Sequence, residues 1–94
     1  MFKLNIFGKN DEVVKTYQTS KLKYGVIEDM IMLSKEFEGK SSFEQFALMK
    51  PVLKNMFEGL NDEELRNVDF LEVLSVFKNL MSIAANGFGV DEKN

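Results

Sequence analysis

Apolar residues recur at helical spacing through the last third of the chain, behind two pairs of polar residues with the spacing of a capping box. Asn61 stands three residues before Glu64, and Asp69 stands three residues before Glu72. Each pair can satisfy free N–H groups in the first turn of a helix. The pattern therefore predicts a short acidic turn at 61–67 that leads into a long central helix. The predicted apolar face of this helix consists of Phe70, Val73, Leu74, Phe77, Leu80, Met81 and Ala84.

The apolar stripe of the central helix is wider than a lone surface helix needs, because further apolar residues flank it. These flanking residues are Leu71, Val76 and Ile83. We expect Leu74, Phe77 and Leu80, near the middle of the stripe, to lie in the core. A stripe of this width is buried on two sides, by the rest of a small domain or by a partner chain. We therefore expect self-association into dimers or larger oligomers.

The N-terminal residues alternate between apolar and polar side chains, which is typical of a β-strand. The alternation covers 2–7, and a second β-branched stretch covers 12–17. Between them, 8–11 supplies the glycine, asparagine and aspartate that tolerate tight turns. This pattern predicts an antiparallel hairpin. Because a two-stranded hairpin is marginal in water, it must lie on a helix or gain strands from another copy along its open edge.

A polar connector at 18–23 follows the hairpin, and helical periodicity begins at Tyr24. Gly39 predicts the end of this helix. Ser42, with Gln45 three residues later, predicts the start of the next helix. Pro51 lies inside that second helix and predicts a kink or break near 47–50. The predicted apolar face of the first helix consists of Ile27, Met30, Ile31, Ser34 and Phe37. The predicted apolar face of the second helix consists of Phe43, Phe46, Ala47, Met49, Leu53, Met56 and Phe57.

Together these elements predict an α+β fold that is mainly α, with an N-terminal β-hairpin followed by three to four helices packed as a small bundle. At 94 residues, the chain is expected to form a single domain. The hairpin is expected over 1–17, the helical region over 24–85, and a flexible tail over 86–94.

The composition argues against catalysis, because the chain contains no histidine and no cysteine. Histidine is the commonest acid–base catalyst and transition-metal ligand, and cysteine supplies the thiol nucleophile. The acidic run 62–64 suits the first turn of a helix, where negative charge is favoured. We predict a non-enzyme with no catalytic, cofactor-binding or metal-binding residues. A net charge of −3 and the lack of a long apolar run predict a cytoplasmic protein that binds neither nucleic acid nor membrane.

Some apolar residues fall outside the predicted helical stripes. Met32 lies off the stripe of its helix, and Leu60 and Phe88 flank the central helix. Exposed apolar side chains of this kind often mark contacts with other proteins. We therefore predict that Met32, Leu60 and Phe88 bind a partner.

The order of these pieces resembles that of the tail assembly chaperones of long-tailed phages and prophages of Gram-positive bacteria. The resemblance covers nearly the whole chain and is most specific over 59–80. It is carried by the KTY end of the hairpin, the helical segment VIEDMIMLSKE, the phenylalanine-rich second helix, the element GLNDEELRNVD and the final VFKNL.

The resemblance implies a non-enzymatic assembly factor of the bacterial host cytoplasm, without cofactors. Such chaperones bind the tape measure protein, a very long, mostly helical and aggregation-prone chain, and keep it soluble. They also help to recruit the tail tube protein. Many occur as two products, the longer one made by a ribosomal frameshift. The codons for residues 92–94 can form the slippery sequence that such a frameshift requires. If the gene has this sequence, a longer product is expected.

A small helical nucleic-acid-binding or regulatory adaptor protein is the alternative. A helix-turn-helix built on the last two helical segments would place 69–85 against DNA. That segment carries one lysine, Lys78, against the acids Asp69 and Glu72. Because phosphate contacts need clustered positive charge, its composition favours the assembly factor.

Overall fold

The computed structural model describes residues 1–86, in which an N-terminal β-hairpin precedes four helices. This arrangement confirms the predicted α+β, mainly α class. The expected tail begins at Asn86, which is the last residue of the final helix, and 87–94 lie outside the described residues. The elements are β1 (Phe2–Phe7), β2 (Val13–Thr19), α1 (Tyr24–Glu36), α2 (Ser42–Met56), α3 (Asp62–Arg66) and α4 (Phe70–Asn86).

The hairpin pairs β1 with β2 in an antiparallel register that sets Leu4 opposite Tyr17. The register shifts after Ile6, next to the turn, which marks a β-bulge. Strand β2 continues through Thr19 and so takes up part of the connector predicted at 18–23. The reason is tertiary, because Gln18 and Thr19 pair with residues at the start of β1, and this pairing has no local sequence signal.

The outer edge of β1 is paired with the segment between α3 and α4. The Phe7 N–H donates to the Asn67 carbonyl at 2.8 Å, and the Asp69 N–H donates to the Asn5 carbonyl at 2.9 Å. Residues 67–69 therefore form an isolated antiparallel bridge to β1, with Val68 opposite Ile6. The protein's own chain therefore covers this part of the hairpin edge, and of the two alternatives that the sequence left open, no strand from another copy is needed here.

The two predicted capping boxes have different outcomes. At α3 the box is confirmed, since the Glu64 N–H donates to Asn61 Oδ1 at 2.8 Å and the Asn61 N–H donates to Glu64 Oε1 at 3.3 Å. At α4, Asp69 Oδ1 accepts from the Leu71 N–H, but the Glu72 carboxylate does not reach back to Asp69. It binds β1 instead, because a strand edge offers it unpaired donors.

Helix α2 begins one residue before the predicted start. Its cap is Ser41, whose hydroxyl accepts from the Glu44 N–H at 3.2 Å while Glu44 Oε1 accepts from the Ser41 N–H at 2.9 Å. The prediction of Ser42 with Gln45 was therefore wrong by one position. The break predicted near Pro51 does not occur, and α2 runs through it from Ser42 to Met56. Pro51 lies on the exposed side of the helix, where water can solvate a freed carbonyl group.

The core lies where α1 packs against both α2 and α4, and where α4 packs against β1. On α1 the buried residues are Val26, Met30 and Leu33, so the buried side is rotated from the predicted face. The rotation follows from the two helical neighbours of α1. The buried core residues are Leu4, Ile6, Val26, Met30, Leu33, Met49, Val52, Leu53, Met56, Phe57, Leu60, Val73, Val76, Phe77 and Leu80.

Removing the Phe77 ring should destabilise the whole fold. This side chain is only 5% exposed and lies in the middle of α4. Phe→Ala in a core typically costs about 3–5 kcal/mol, against a total of roughly 5–15 kcal/mol for a domain. We expect Phe77→Ala to lower the free energy of unfolding by about 3–5 kcal/mol in urea titrations. The matched control is Leu71→Ala on the same helix, where the side chain is 74% exposed and the cost should be within about 0.5 kcal/mol. Equal midpoints for the two variants would contradict this assignment of the core.

Candidate functional site

Two phenylalanine rings from different helices meet at the surface. Phe46 of α2 and Phe70 of α4 contact edge to face, with ring centroids 5.4 Å apart and an interplanar angle of 81°. Both side chains remain nearly half exposed. The contact itself is favourable, but it leaves one side of each ring to water. The pair therefore forms the rim of an apolar surface rather than part of the core.

A shallow apolar groove of about 190 Å³ lies beside this pair, between α2 and α4. Buried side chains, Met49 and Leu53 from α2 and Val73 from α4, belong to its lining. Lys50 is the charged residue at the groove. The full lining is Phe46, Met49, Lys50, Leu53, Leu65, Val68, Phe70 and Val73.

The apolar surface continues along α4 through Leu74 and Met81. These residues follow Phe70 by four and eleven positions, which places all three on one side of a helix. Leu74 is 43% exposed, so its prediction as a core residue was wrong. The reason is the width of the stripe. The rest of the chain covers the side of α4 that carries Val73 and Phe77 and leaves the adjacent side open.

A second depression, of about 310 Å³, lies where the far end of α4 meets α1. Met81 belongs to its lining, so this depression joins the exposed side of α4. We call Phe46, Phe70, Leu74 and Met81, with the groove and this depression, the apolar helical surface. The depression is lined by Met30, Ile31, Ser34, Met81, Ala84 and Ala85.

Of the three predicted partner-binding residues, the structure describes Met32 and Leu60, and these two differ in exposure. Met32 is 60% exposed on α1, but it lies about 100° around the helix from Ile31. Leu60 is only 6% exposed, so its prediction as a surface contact was wrong. Its N–H donates to the Phe57 carbonyl at 3.0 Å, and this turn after α2 directs the side chain into the core. Phe88 lies outside the described residues. The other two predicted core residues, Phe77 and Leu80, are buried.

Sequence reasoning assigned Phe46 and Phe70 to buried faces and so missed them as surface residues. A signal for them was present in the excess width of the stripe on the central helix. It did not reveal which part of the stripe stays open, because that depends on where α1, α2 and β1 pack.

Two acidic residues of α3, Asp62 and Glu64, contact different parts of the fold. The Tyr17 hydroxyl donates to Glu64 Oε1 at 2.5 Å, and Lys15 Nζ donates to Oε2 at 3.0 Å. Asp62 instead pairs with Lys54 of α2 at 2.6 Å. Glu64 therefore ties α3 to β2, while Asp62 ties it to α2.

These contacts also set the protonation of the two carboxylates. The Tyr17 hydroxyl above all, and then Lys15, hold the pKa of Glu64 below its ordinary 4.5, although partial burial opposes the shift. A hydrogen bond from Lys54 likewise lowers the pKa of Asp62. Both groups are stabilised as carboxylates, which suits anchoring contacts and does not favour a general acid near neutral pH.

Comparison with known proteins returned no match, since the chain matches no protein-family model, no curated protein and no solved structure. Among residues 1–86 no helix is long and apolar enough to cross a membrane. Nor does the described part of the chain bring three or more potential metal-binding side chains together. The apolar helical surface is the feature on which a functional proposal can be based.

The Glu64 contacts predict a specific acid sensitivity. Because the pKa of Glu64 is lower in the folded than in the unfolded chain, its stabilising contribution is complete above about pH 4.5. That contribution disappears as the pH falls through the folded-state pKa. We expect Glu64→Gln to unfold more easily at neutral pH and to lose less stability than the parent between neutral pH and about pH 3.

The control for this experiment is Glu63→Gln, which changes a neighbouring exposed carboxylate. Chemical denaturation at a series of pH values compares the three proteins. Glu44 and Asp62 also have lowered pKa values, so some acid sensitivity should persist in all of them. Identical pH profiles for Glu64→Gln and Glu63→Gln would refute the anchoring role of Glu64.

Proposed function

We propose that this protein is a non-enzymatic tail assembly chaperone of a long-tailed phage or prophage of Gram-positive bacteria. It binds apolar helical segments of the tape measure protein, keeps that protein soluble in the bacterial host cytoplasm and helps to recruit the tail tube protein. The observation that supports this proposal is the apolar helical surface, which supplies a binding face for helices. The resemblance of the sequence supplies the biological setting.

The shape of the surface suits a helical partner. Phe70, Leu74 and Met81 form a ridge along α4, with an apolar depression near each end of the ridge. An amphipathic helix can bury its own apolar face in such grooves, with anchor residues one turn apart. The methionines Met30, Met49 and Met81 line the depressions. Their flexible thioether side chains allow one surface to accept many different apolar sequences. A chaperone of a very long helical chain needs this tolerance.

The charge of the chain is compatible with the same role. A net charge of −3 favours the solubility of a protein with an exposed apolar surface. It also argues against the alternative of nucleic-acid binding. Lys78 is the single basic residue on α4. The nearby Lys3 of β1 lies 3.9 Å from the Glu72 carboxylate, which offsets its charge. A helix with one lysine offers little attraction for phosphate.

The proposal predicts that charge on the exposed side of α4 abolishes binding of the tape measure protein without unfolding the chaperone. The gene should lie just upstream of a very long gene, whose product is the probe. We expect co-expression with the parent protein to keep that product in the soluble fraction and to allow the two to be purified together. Leu74→Lys combined with Met81→Lys should remove both effects. These side chains are nearly half exposed, so the cost in stability should be about 1 kcal/mol or less per site.

Met32→Lys is the matched control, since it places the same charge on exposed apolar surface of α1, outside the apolar helical surface. It should leave solubilisation unchanged, and circular dichroism should show all variants folded. Loss of solubilisation in Met32→Lys alone would place the binding site on the other side of α1. If the gene has no very long neighbour encoding a helical protein, or if the parent does not solubilise that product, the proposed function is wrong.

A further inference from the structure

Within residues 1–86 the outer edge of β2 has no backbone partner, whereas Asn67 and Asp69 bond to the outer edge of β1 at Phe7 and Asn5. The Asn5 backbone bonds outward to Glu72 and Asp69, so Asn5 and its partner Thr16 do not exchange backbone hydrogen bonds. By the alternation of an antiparallel ladder, the N–H and C=O groups of Thr16 and Gln18 both point away from β1. Within residues 1–86, no backbone group from another element bonds to either residue.

This edge lacks the charges that usually protect an exposed strand. The side chains of Thr16 and Gln18 are uncharged and exposed on the outer face of the hairpin. Lys15 is the only charged residue of β2, and it is bound to Glu64 at 3.0 Å. The edge is also accessible, because Tyr17, Gln18 and Thr19 line an open depression of about 310 Å³. The connector and the end of α2 form the other walls of this depression.

We propose that β2 pairs with β2 of a second copy of this chain, in an antiparallel arrangement that joins the two hairpins into one four-stranded sheet. An antiparallel pair of identical strands is self-complementary about a two-fold axis. The proposal concerns the hairpin alone and does not depend on the proposed function.

The β-bulge near the turn selects the register of this pairing. Val14 has no partner on β1, because Ile6 pairs with Lys15 and Phe7 pairs with Val13. A bulge disrupts the regular direction of the backbone groups, so pairing is confined to 15–19. A two-fold axis at Tyr17 uses this whole stretch and sets Thr16 opposite Gln18 of the other copy. This register forms about four backbone hydrogen bonds between the copies.

Other registers are less favourable. An axis at Thr16 would require regular pairing by the bulged Val14. An axis at Lys15 would also set two lysines directly opposite each other, which is destabilising in a sheet. The Tyr17-centred register instead sets Lys15 opposite the neutral Thr19 of the other copy.

The test compares two double variants that differ in the sign of one charge. Thr16→Lys with Gln18→Lys sets like charges opposite each other at both ends of the interface. Thr16→Lys with Gln18→Glu sets opposite charges there, and both variants lose the hydrogen bond from Thr16 Oγ1 to Asn5 Oδ1. By sedimentation velocity we expect a reversible dimer of the parent, with Kd in the micromolar range. The Lys–Lys variant should weaken it about tenfold or more, and the Lys–Glu variant should stay within about threefold of the parent.

Leu74→Lys with Met81→Lys is expected to dimerise like the parent, because the apolar helical surface is not part of this interface. Circular dichroism confirms that each variant is folded. The proposal is wrong if the parent stays monomeric at about millimolar concentration, if the Lys–Lys variant dimerises like the parent, or if the two charge variants are weakened equally. It is also wrong if only the α4 variant loses the dimer.

Introduced cysteines test the register, because the natural chain has none. A disulfide needs Cα atoms within about 7 Å, a distance met by directly opposite residues. A mixture of Thr16→Cys and Gln18→Cys chains should therefore form cross-linked heterodimers faster than either variant alone forms homodimers. Faster cross-linking of Thr16→Cys alone would overturn the Tyr17-centred register.

Discussion

The contact between Asn5 and Glu72 is the one on which the arrangement of hairpin and helices depends. Asn5 donates its backbone N–H to Glu72 Oε1 at 2.6 Å and its side-chain amide to Oε2 at 2.9 Å. Its Oδ1 accepts from the Thr16 hydroxyl at 2.7 Å. Hydrogen bonds to an ionised carboxylate are stronger than neutral ones, more so in a partly buried site. A single asparagine thus joins both strands to the first turn of α4.

This contact determines what is covered and what stays open. It aligns 67–69 with β1, so the strand edge that faces the helices is filled by the protein's own chain. Among residues 1–86, the outer edge of β2, on the other side of the hairpin, has no backbone partner. It also fixes the start of α4 next to the sheet, which places Phe70 beside Phe46 of α2. The apolar helical surface and the open strand edge are therefore both consequences of one docking geometry.

The apolar helical surface reflects a mismatch between the width of the stripe on α4 and the size of the domain. A chain of 94 residues offers α4 the neighbours α1 and β1, with α2 in contact at Phe70, and these cover only part of the stripe. Monomeric proteins rarely keep a continuous apolar area exposed without a use for it. The exposed residues differ from the core in how much they contribute to stability. Phe77 and Leu80 are buried and stabilise the fold, whereas Leu74 and Met81 remain nearly half exposed.

The sequence by itself determined the type and order of the elements, because these depend on local patterns. Alternation specified the hairpin, and the Asn61–Glu64 box specified the start of α3. Gly39 has a φ of 79°, which suits glycine and accounts for the chain reversal after α1. Each of these signals lies within a few residues, so no knowledge of the packing was required to read it.

Only the tertiary structure decided which apolar residues are buried. The periodicity of a helix shows that an apolar side exists, but the buried arc depends on the positions of its neighbours. Leu74 was expected in the core and is open, whereas Leu60 was expected at the surface and is buried. The same holds for Glu72, which has the spacing of a cap but binds a strand 67 positions earlier in the chain. Contacts between residues far apart in the sequence leave no local pattern, and these contacts define both the apolar helical surface and the open edge of β2.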